Sequence, residues 1–380
     1  MKVVFIQPGQ FLRTSRKTNP FFDPIIDVCQ KNGIEWSIWL PKGSESGYPR
    51  EHVCFYHVIS ICDCWFWRFM HVFFPWLSVA RVHYLFGCFA RPFCRAWREA
   101  DFVITNAFAF ANELVGIRGN RRIADVQHGV IYSRHLGYFS QSGVLRLELQ
   151  KYANYSFWFY GPGYANCFFK NPENHRWLDG RVKVVGDVVR AGKDAVPADA
   201  VANTPAKRHL IVLANQMTPD DDAENGLALK RVYERWLDEM TDVVAAHPNV
   251  KVVLRNHPRF GNVVDLSDWK LKYPWLGADQ RPFDEVFPES ICCVTINSTT
   301  VFDAIPYGCP SVLIDGHDAG WRNIMVDEYD YPCGQLTVRE LLSQSPNEQE
   351  NMRQRLKKWY NTHYTPFDAE RALRLIKGEI

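Results

Sequence analysis

Two stretches in the second half of the sequence share one pattern, which constrains the fold more than any other feature. The apolar run Val252–Leu254 passes into polar residues that end at His257 and Pro258. The apolar run Cys293–Ile296 passes in the same way into Asn297–Thr300. Short β-branched runs of this kind are typical of buried strands in parallel sheets. Since open α/β sheets bind ligands at the carboxyl ends of their strands, these polar residues are predicted to form one binding edge.

The residues after the second run predict a phosphate site. Val301–Ala304 are typical of the first turn of a helix, so Ser298, Thr299 and Thr300 would stand at its start. Free N–H groups and the positive end of the helix dipole favour an anion at that position. Together with His257 at another strand end of the same sheet, these hydroxyls predict a clamp for a nucleotide monophosphate or diphosphate.

The same residues resemble a known family. His257 and Pro258, with Ser298–Thr300, are similar to the paired HP and S-S/T motifs of bacterial GT-B glycosyltransferases. That group includes sialyl-, polysialyl- and Kdo-transferases and the related capsule and teichoic-acid polymerases. Asp303, followed by Gly308–Pro310, resembles the continuation of the motif, with Asp where the family usually has Glu. The resemblance implies that His257 contacts the donor phosphate and that Asp303 accepts hydrogen bonds from ribose hydroxyls.

A second part of the resemblance lies where the nucleotide domain would begin. Leu213–Gln216, followed by Asp220–Asp222, resembles the Gln- and Asp-bearing loop of capsule Kdo-transferases. This implies that Gln216 contacts the base or the sugar carboxylate of the donor. The three acids are expected in a solvated loop or a helix start rather than around a metal, and no metal site is expected. The resemblance covers roughly residues 208–320 well and the N-terminal half only weakly.

The resemblance implies an α/β fold of the GT-B type. Two Rossmann-like domains would face a central cleft, and a C-terminal helix would cross back to the N-terminal domain. A length of 380 residues fits two domains. We predict an acceptor-side domain over residues 1–188, joined by a helix at about 355–380, and a nucleotide-sugar domain over residues 207–354. The small, polar and proline-bearing stretch 189–206 is predicted to be the linker.

Strands that alternate with helical stretches predict a parallel sheet in each half. The first half is predicted to contain a helix over Asp23–Lys31 and the strands Val3–Gln7, Ile34–Leu40, Phe102–Thr105, Arg122–Val126, Trp158–Tyr160 and Val182–Val185. The second half is predicted to contain a helix at about Leu227–Ala246 and the strands His209–Ala214, Val250–Arg255, Ile291–Ile296 and Ser311–Ile314. The tail from about Asn347 onward is predicted to be helical and charged.

Composition excludes several classes of protein. A hydrophobic content of 47% and a charged content of 23% are typical of a packed globular protein. A formal net charge of +2 creates no field that favours nucleic acid. The 11 cysteines follow no zinc-binding spacing and are expected to be reduced thiols. The chain starts with a strand and lacks the apolar core of a signal peptide, so a cytoplasmic location is expected.

A catalytic cluster is predicted at the end of the strand Arg122–Val126. Here Asp125, Gln127, His128 and Gly129 bring together an acid, an amide, an imidazole and a flexible turn. The teichoic-acid polymerases carry a similar His-Gly pair, which implies that His128 is the base of an inverting transfer. Asp125 is the alternative, as the nucleophile of a retaining transfer, although strand alternation points it away from His128. The competing interpretation of His128 is a structural loop histidine.

Residues 53–98 are rich in Phe, Trp and Tyr and contain almost no acids before Glu99. They carry the arginines Arg68, Arg81, Arg91, Arg95 and Arg98. No apolar run reaches the ~18–20 residues that are needed to span a bilayer. Two interpretations fit. The segment forms either a basic and aromatic surface that contacts anionic lipid at the inner face of the membrane, or a pair of core helices whose arginines reach solvent.

These features predict a glycosyltransferase of bacterial surface polysaccharide synthesis, either capsule or lipopolysaccharide. The resemblance favours a CMP-activated ulosonic acid donor, such as Kdo or a sialic-type sugar, with no further cofactor and with an oligosaccharide or lipid-linked glycan as acceptor. Arg255, on the same strand face as His257, is compatible with an anionic donor. The alternatives are a UDP-, GDP- or CDP-linked donor, a non-enzymatic scaffold, or a GT-B-like nucleotide-sugar 2-epimerase. Ser298–Thr300 stand where that epimerase would have Ser-Gly-Gly.

Overall fold

The computed structural model describes residues 1–8, 17–107, 109–135, 137–191, 208–216, 223–256 and 267–380. The chain divides into two compact units, of which unit 1 is Met1–Gly192 with His363–Ile380 and unit 2 is Lys193–Thr362. The linker predicted over residues 189–206 lies mostly outside the described residues. None of the described helices is long and apolar enough to cross a membrane.

Within its described residues, unit 1 contains one parallel sheet of seven strands in the order β3-β2-β1-β4-β5-β6-β7. Its elements up to the last of these strands are β1 (Lys2–Ile6), α1 (Asp23–Lys31), β2 (Glu35–Leu40), β3 (Val53–Phe55), α2 (His57–Phe73), α3 (Val79–Ala90), α4 (Arg95–Glu99), β4 (Phe102–Asn106), α5 (Ala111–Arg118), β5 (Ile123–Val126), α6 (Leu147–Gln150), β6 (Tyr155–Phe159), α7 (Pro162–Phe168), α8 (His175–Leu178) and β7 (Val182–Val184).

Unit 2 contains a second parallel sheet, with five strands among its described residues in the order β10-β9-β8-β11-β12. Its elements are β8 (Leu210–Ala214), α9 (Ala223–Ala246), β9 (Lys251–Arg255), α10 (Ser267–Lys272), β10 (Leu276–Ala278), α11 (Phe283–Val286), β11 (Ser290–Thr295), α12 (Thr300–Ala304), β12 (Ser311–Leu313), α13 (Ile324–Asp327), α14 (Val338–Ser343) and α15 (Pro346–His363). The last helix of the chain, α16 (Ala369–Lys377), belongs to unit 1.

The central strands of both sheets are buried along their whole length. Every residue of β4, β5 and β8 is buried. A strand covered on both faces is mostly apolar, and this is why these strands could be predicted from apolar runs, although β4 ends in Thr105 and Asn106 and β5 contains Asp125. Each predicted strand is present, with shifts of up to three residues at its ends. The edge strands β3 and β10, each three residues long, were not predicted.

Helices α3 and α5 cross in direct backbone contact. A Cβ atom added to Gly87 would lie 2.2 Å from the carbonyl oxygen of Glu113, and one added to Gly116 would lie 2.4 Å from that of Tyr84. Only glycine allows two helices to approach this closely. The contact holds α3 onto the body of unit 1, and α2 packs in turn on α3.

The C-terminal segment returns to unit 1 as predicted, but it forms two helices and not one. The helix predicted at about 355–380 is two helices, α15 and α16, because Pro366 interrupts the segment between them. Thr365 donates its N–H to the carbonyl of Tyr160 at 3.0 Å. Arg122 donates to the carbonyls of Leu375 at 2.9 Å and Ile376 at 2.8 Å. The two Arg122 bonds fix the end of α16 to the end of the sheet at which β5 begins, whereas the Thr365 bond lies at the opposite end, where β6 stops.

Candidate functional site

The carboxyl edge of the unit 2 sheet holds Gln216, Ser298 and Thr299 of the predicted donor residues. From β8 the chain adds β9 and β10 on one side of the sheet, and then β11 and β12 on the other. The boundary between β8 and β11 is therefore a topological switch point, where α/β sheets bind their ligands. Gln216 follows β8, Asn256 follows β9, and Ser298 follows β11.

Gln216 ties the two strand ends together across this switch point. Its Oε1 accepts hydrogen bonds from Thr295 Oγ1 at 2.9 Å, from Ile296 N at 3.1 Å and from Asn297 N at 2.8 Å. The N–H of Gln216 donates to the hydroxyl of Tyr233 at 3.0 Å. The side-chain oxygen is thus committed to the backbone of the β11 loop, and Nε2 is the group that a ligand could contact. The geometry makes Gln216 a positioning residue for the Ser298–Thr300 loop.

The three hydroxyls of that loop have different environments. Ser298 is half-buried and accepts the N–H of Thr300 at 3.2 Å, whereas Thr299 is exposed. Thr300 is buried, and its hydroxyl lies against the thiol of Cys293. Burial raises the pKa of that thiol to about 12, so the thiol stays neutral. Ser298 and Thr299 are therefore the hydroxyls placed to meet an anion, and Thr300 faces the core.

Helix α12 begins at Thr300 and has five residues, so its macrodipole is small. Asp303 lies in its first turn and is half-buried. Its N–H donates to the carbonyl of Thr299 at 3.2 Å. The predicted site therefore depends on hydroxyls and a few N–H groups more than on a long helix dipole. The ribose contact expected of Asp303 stays a prediction.

Arg255, the last residue of β9, is held by contacts within unit 2. Its guanidinium carbon lies 4.1 Å from the ring centroid of Phe283, and Nη1 donates to the carbonyl of Arg281. Burial lowers the pKa of Arg255. The described contacts of this side chain are structural. The next residue, Asn256, accepts from Asn215 Nδ2 at 3.0 Å, which joins the ends of β9 and β8.

Two of the predicted donor residues, His257 and Pro258, lie outside the described residues. The acids Asp220–Asp222 also lie outside them. Their positions relative to Gln216 and Ser298 stay predictions.

In unit 1, the loop after β5 holds His128 at the carboxyl edge of the sheet. The preceding residue, Gln127, is fully buried and bridges two strand ends. Its Nε2 donates to the carbonyl of Gly129 at 2.8 Å, and its Oε1 accepts the N–H of Tyr160 at 3.0 Å. This bracing positions His128, which is half-buried. Its ring meets that of His135 edge to face, with centroids 6.5 Å apart.

Asp125 is not brought to this edge. Its side chain is 2% exposed, and Oδ2 accepts the hydroxyl of Tyr138 at 2.6 Å. Burial, reinforced by the neighbouring Asp125, raises the pKa of Tyr138 well above its usual value, so Tyr138 stays a proton donor to the carboxylate. Strand alternation explains the separation, because residues three apart point to opposite faces of the sheet. Asp125 and His128 therefore do not form one catalytic pair.

His135 is a candidate that the sequence analysis missed. Its Nδ1 accepts the N–H of Gly137 at 3.2 Å, and burial lowers its pKa, so the neutral ring is favoured. A neutral imidazole beside His128 is suited to proton transfer. No sequence pattern predicts a role for His135, because it comes close to His128 only through the turn that follows β5.

Two more polar residues were missed at the switch point of unit 1, which lies between β1 and β4. Gln7 follows β1 and Asn106 ends β4, and both are fully buried. Within the described part of the chain, neither amide nitrogen nor amide oxygen of these two side chains has a hydrogen-bond partner. The loop after β4 also holds Ala107 and Phe110 at a φ of 54°. Strain and unsatisfied polar groups commonly mark functional sites. The sequence signal that could have indicated Gln7 and Asn106 is that each amide lies at the end of a strand.

Among the described residues, one group has the composition of a metal site. Asp63, His83 and Glu113 bring their ligand atoms within 4.8 Å of one another. His83 Nδ1 lies 2.9 Å from Asp63 and 3.1 Å from Glu113. Its hydrogen bonds to these carboxylates raise the pKa of His83 to about 10. A ring that keeps its proton at neutral pH forms an ion pair and is a poor metal ligand.

Known structures share this architecture. No protein-family model matches the chain, and no curated protein matches its sequence. The S. aureus MnaA–UDP co-structure aligns with a TM-score of 0.55 and 11% identity, covering 100% of this chain and 97% of that one. The UDP-GlcNAc 2-epimerase from Methanocaldococcus jannaschii aligns with a TM-score of 0.54 and 11% identity, covering 100% of both chains.

The wall teichoic acid polymerase TagF aligns with a TM-score of 0.48 and 16% identity, covering 100% of this chain and 88% of that one, and no conclusion rests on it. At such identities the likeness shows the fold alone. With its two parallel sheets, the chain has the GT-B fold, and that prediction is confirmed.

Proposed function

We propose that this protein is a GT-B glycosyltransferase that moves a sugar from a nucleotide-activated donor to a glycan acceptor. The observation that carries the proposal is the Gln216 clamp across the β8/β11 switch point. The clamp fixes Ser298 and Thr299 at the edge where α/β sheets bind nucleotides. This arrangement supports the binding of a nucleotide at this edge, with Gln216 as the residue that positions the loop.

On this proposal the donor diphosphate or monophosphate contacts the hydroxyls of Ser298 and Thr299. His257 adds a charge-assisted hydrogen bond when protonated, and Asp303 accepts from the ribose. A CMP-linked ulosonic acid remains the proposed donor, and a bacterial surface polysaccharide the proposed product. Both rest on the motif resemblance. The anchored position of Arg255 means that it adds no support for an anionic sugar.

On this proposal the acceptor hydroxyl loses its proton to His128, which stands at a strand end of unit 1. The fixed bridge through Gln127 supports this role, because a base must be held in place. The burial of Asp125 against Tyr138 weighs against a nucleophile at that position, and so favours an inverting transfer. We further propose that His135, whose ring meets that of His128, exchanges the proton with it.

A nucleotide-sugar 2-epimerase is the second candidate. It is favoured by one observation, namely that a UDP-GlcNAc 2-epimerase aligns over the whole of both chains. Ser298–Thr300 in place of Ser-Gly-Gly weighs against it. The two activities differ in what they release. A transferase frees the nucleotide from its donor, whereas the epimerisation leaves the sugar attached to it.

The test has two arms. Thermal unfolding with CMP, CDP, UDP and GDP identifies the base, since a ligand at 100 times its Kd adds about 2.7 kcal/mol of stability. The matching nucleotide sugar is then incubated with the protein and a glycan acceptor. Nucleotide release that falls by about 10²–10⁴ in His128→Ala, with unchanged nucleotide binding, supports the transferase. An altered sugar that stays attached to its nucleotide supports the epimerase. Stabilisation by none of the four nucleotides contradicts both.

A further inference from the structure

The helical hairpin of α2 and α3 exposes an unusual amount of apolar surface. Of the 17 large apolar side chains that are exposed in the described part of the chain, 11 lie between Val58 and Phe93. Single exposed apolar residues are normal, but a concentration of them marks an interaction surface. The interpretation of this segment as two core helices therefore fails for α2.

The exposed residues of α2 form one stripe. Its members follow each other at steps of three or four residues, which places them on one side of a helix; they are Val58, Ile61, Trp65, Phe69 and Val72. Trp65 is 67% and Val72 is 72% exposed. The opposite side holds Asp63, the single buried residue of α2. The apolar side of this helix thus faces solvent and its acid faces the protein, the reverse of an ordinary surface helix.

The turn and α3 extend the stripe into a larger surface. The exposed additions are Phe73, Phe74, Trp76, Val79, Phe89 and Phe93. Phe66 links the two helices, because its ring lies 5.6 Å from that of Phe86 and 6.0 Å from that of Phe89. We call the stripe and these six residues the apolar face.

The charges around the apolar face have one sign. Residues 57–98 contain five arginines and one aspartate, a net charge of +4 with the histidines neutral. That aspartate, Asp63, is buried and paired with His83. Arg95 and Arg98 are paired with Glu99.

The other three arginines of this segment, Arg68, Arg81 and Arg91, form no ion pair with any described acid. The guanidinium of Arg68 lies 5.9 Å from the ring centroid of Trp65, at the border of the stripe. The positive charge of Arg68 is therefore held next to the apolar side chains, and Arg81 and Arg91 are exposed on the same hairpin.

We propose that the apolar face docks on the surface of an anionic lipid bilayer. Aromatic and aliphatic side chains would enter the headgroup boundary, while Arg68, Arg81 and Arg91 contact lipid phosphates. A second copy of the chain fits less well, because it would bring two faces of the same positive charge together. Such docking would bring unit 1 to acceptors that are linked to lipid.

The test is co-sedimentation of the full chain with two kinds of vesicle. One is phosphatidylcholine alone, and the other contains about one-third phosphatidylglycerol. We expect binding to the anionic vesicles that weakens between about 0.1 M and 1 M salt, where the screening length falls from about 10 Å to 3 Å. Replacing Arg68, Arg81 and Arg91 with Glu should lower the affinity at least about a hundredfold, since each basic residue contributes roughly fivefold.

A second variant tests the apolar contribution. Trp65→Ser, Phe69→Ser and Val72→Ser together should also release the protein from anionic vesicles. The matched controls replace exposed residues elsewhere: Leu227→Ser with Leu271→Ser for the apolar variant, and Arg121→Glu, Arg231→Glu and Arg371→Glu for the basic one. Unchanged circular dichroism shows that each variant is folded, as expected for exposed side chains.

Three results would overturn the proposal. The first is wild-type protein that ignores anionic vesicles at low salt. The second is a control variant that loses binding as much as its matched test variant. The third concerns wild-type protein that does not bind vesicles. If it is a dimer in sedimentation equilibrium and the serine variant is a monomer, the apolar face joins two copies of this chain instead.

Discussion

At the scale of single residues, the candidate sites depend on side-chain amides. Gln216 and Gln127 each bridge two neighbouring strand ends with hydrogen bonds. An amide carries both donors and an acceptor without charge, so it can join backbone groups of two loops at little desolvation cost. Gln7 and Asn106 hold comparable positions, yet their amides lack such partners among the described residues.

Removing the acceptor of Gln216 should open the β11 loop. In Gln216→Met, three donors lose their partner, and each unsatisfied donor costs about 1–3 kcal/mol where it is buried. Because the site is half-buried and water can replace part of the loss, we expect unit 2 to be destabilised by about 2 kcal/mol in urea unfolding. Nucleotide affinity should fall in parallel.

Gln216→Glu is the matched control, because it keeps the acceptor oxygen at the same place. It should retain most of the stability that the Met variant loses. Equal stability of wild type and Gln216→Met would show that the clamp does not hold the loop.

Asn106→Leu should make the protein more stable. The substitution keeps the shape of the side chain and removes an amide whose burial without partners costs about 1–3 kcal/mol. We expect a rise of about 1 kcal/mol in the free energy of unfolding, measured in denaturant. A loss of stability would instead indicate that a buried water satisfies the amide. A gain in stability with a loss of turnover would indicate that the amide is kept for its function.

At the scale of secondary-structure elements, the hairpin of α2 and α3 is attached to the rest of unit 1 in an unusual way. Besides the buried side chains of α3, two features hold them to the body, namely the glycine crossing with α5 and the ion pair of His83 with Asp63 and Glu113. The apolar side chains of α2 contribute little, because they point outward. Both attachments can be tested separately.

Gly116→Ala should separate α3 from α5. The new Cβ would lie 2.4 Å from the carbonyl oxygen of Tyr84 and 2.7 Å from the nitrogen of Cys88, and these backbone atoms cannot rotate away. Alanine gains about 1 kcal/mol in helix propensity, but overpacking costs about 1–3 kcal/mol or more. We expect a net loss of about 2 kcal/mol in denaturant unfolding. Gly129→Ala is the control, since its Cβ would meet nothing within 4 Å. Equal effects of the two changes would contradict the close crossing.

The ion pair predicts how stability depends on pH. The folded-state pKa of His83, about 10, lies above its ordinary value of 6.5 because the ring donates to Asp63 and Glu113. A raised pKa means that the folded state binds the proton more tightly than the unfolded state does. The stabilisation is therefore complete below pH 6.5 and is lost as the pH rises through about 10.

The measurement is the melting temperature of the wild type minus that of His83→Gln across this pH range. The difference cancels the titration of other groups, such as the nearby Tyr84. It should shrink as the pH rises from 6.5 to about 10. A difference that does not change with pH would show that His83 is neutral in the folded protein.

At the scale of the whole molecule, the chain is two units whose sequence order is interleaved. Unit 1 is closed by residues from the far end of the chain, because α16 packs on α1 and receives the hydrogen bonds of Arg122. Gly186, at a φ of 87°, allows this approach, since a Cβ there would lie 2.1 Å from the carbonyl of Pro366. Because unit 1 includes this C-terminal segment, its folding depends on that segment.

The sequence by itself determined the strands and the fold class. Runs such as Val252–Leu254 and Cys293–Ile296 are apolar at every position except Thr295, because a central parallel strand is covered on both faces. The polar residues that follow such runs had to lie at the carboxyl edge of a sheet. For this reason Ser298, Gln216 and His128 could be placed at sheet edges without a structure.

Tertiary structure alone decided what each of these residues contacts. Asp125 became a core residue because Tyr138, from a later loop, covers it, and Thr300 turned inward towards Cys293. The sequence also left the exposure of α2 undetermined, since the same aromatic pattern occurs in a helix that another element covers and in a helix that faces solvent. Local sequence specifies periodicity and burial on average, whereas partners from distant parts of the chain decide which atoms meet.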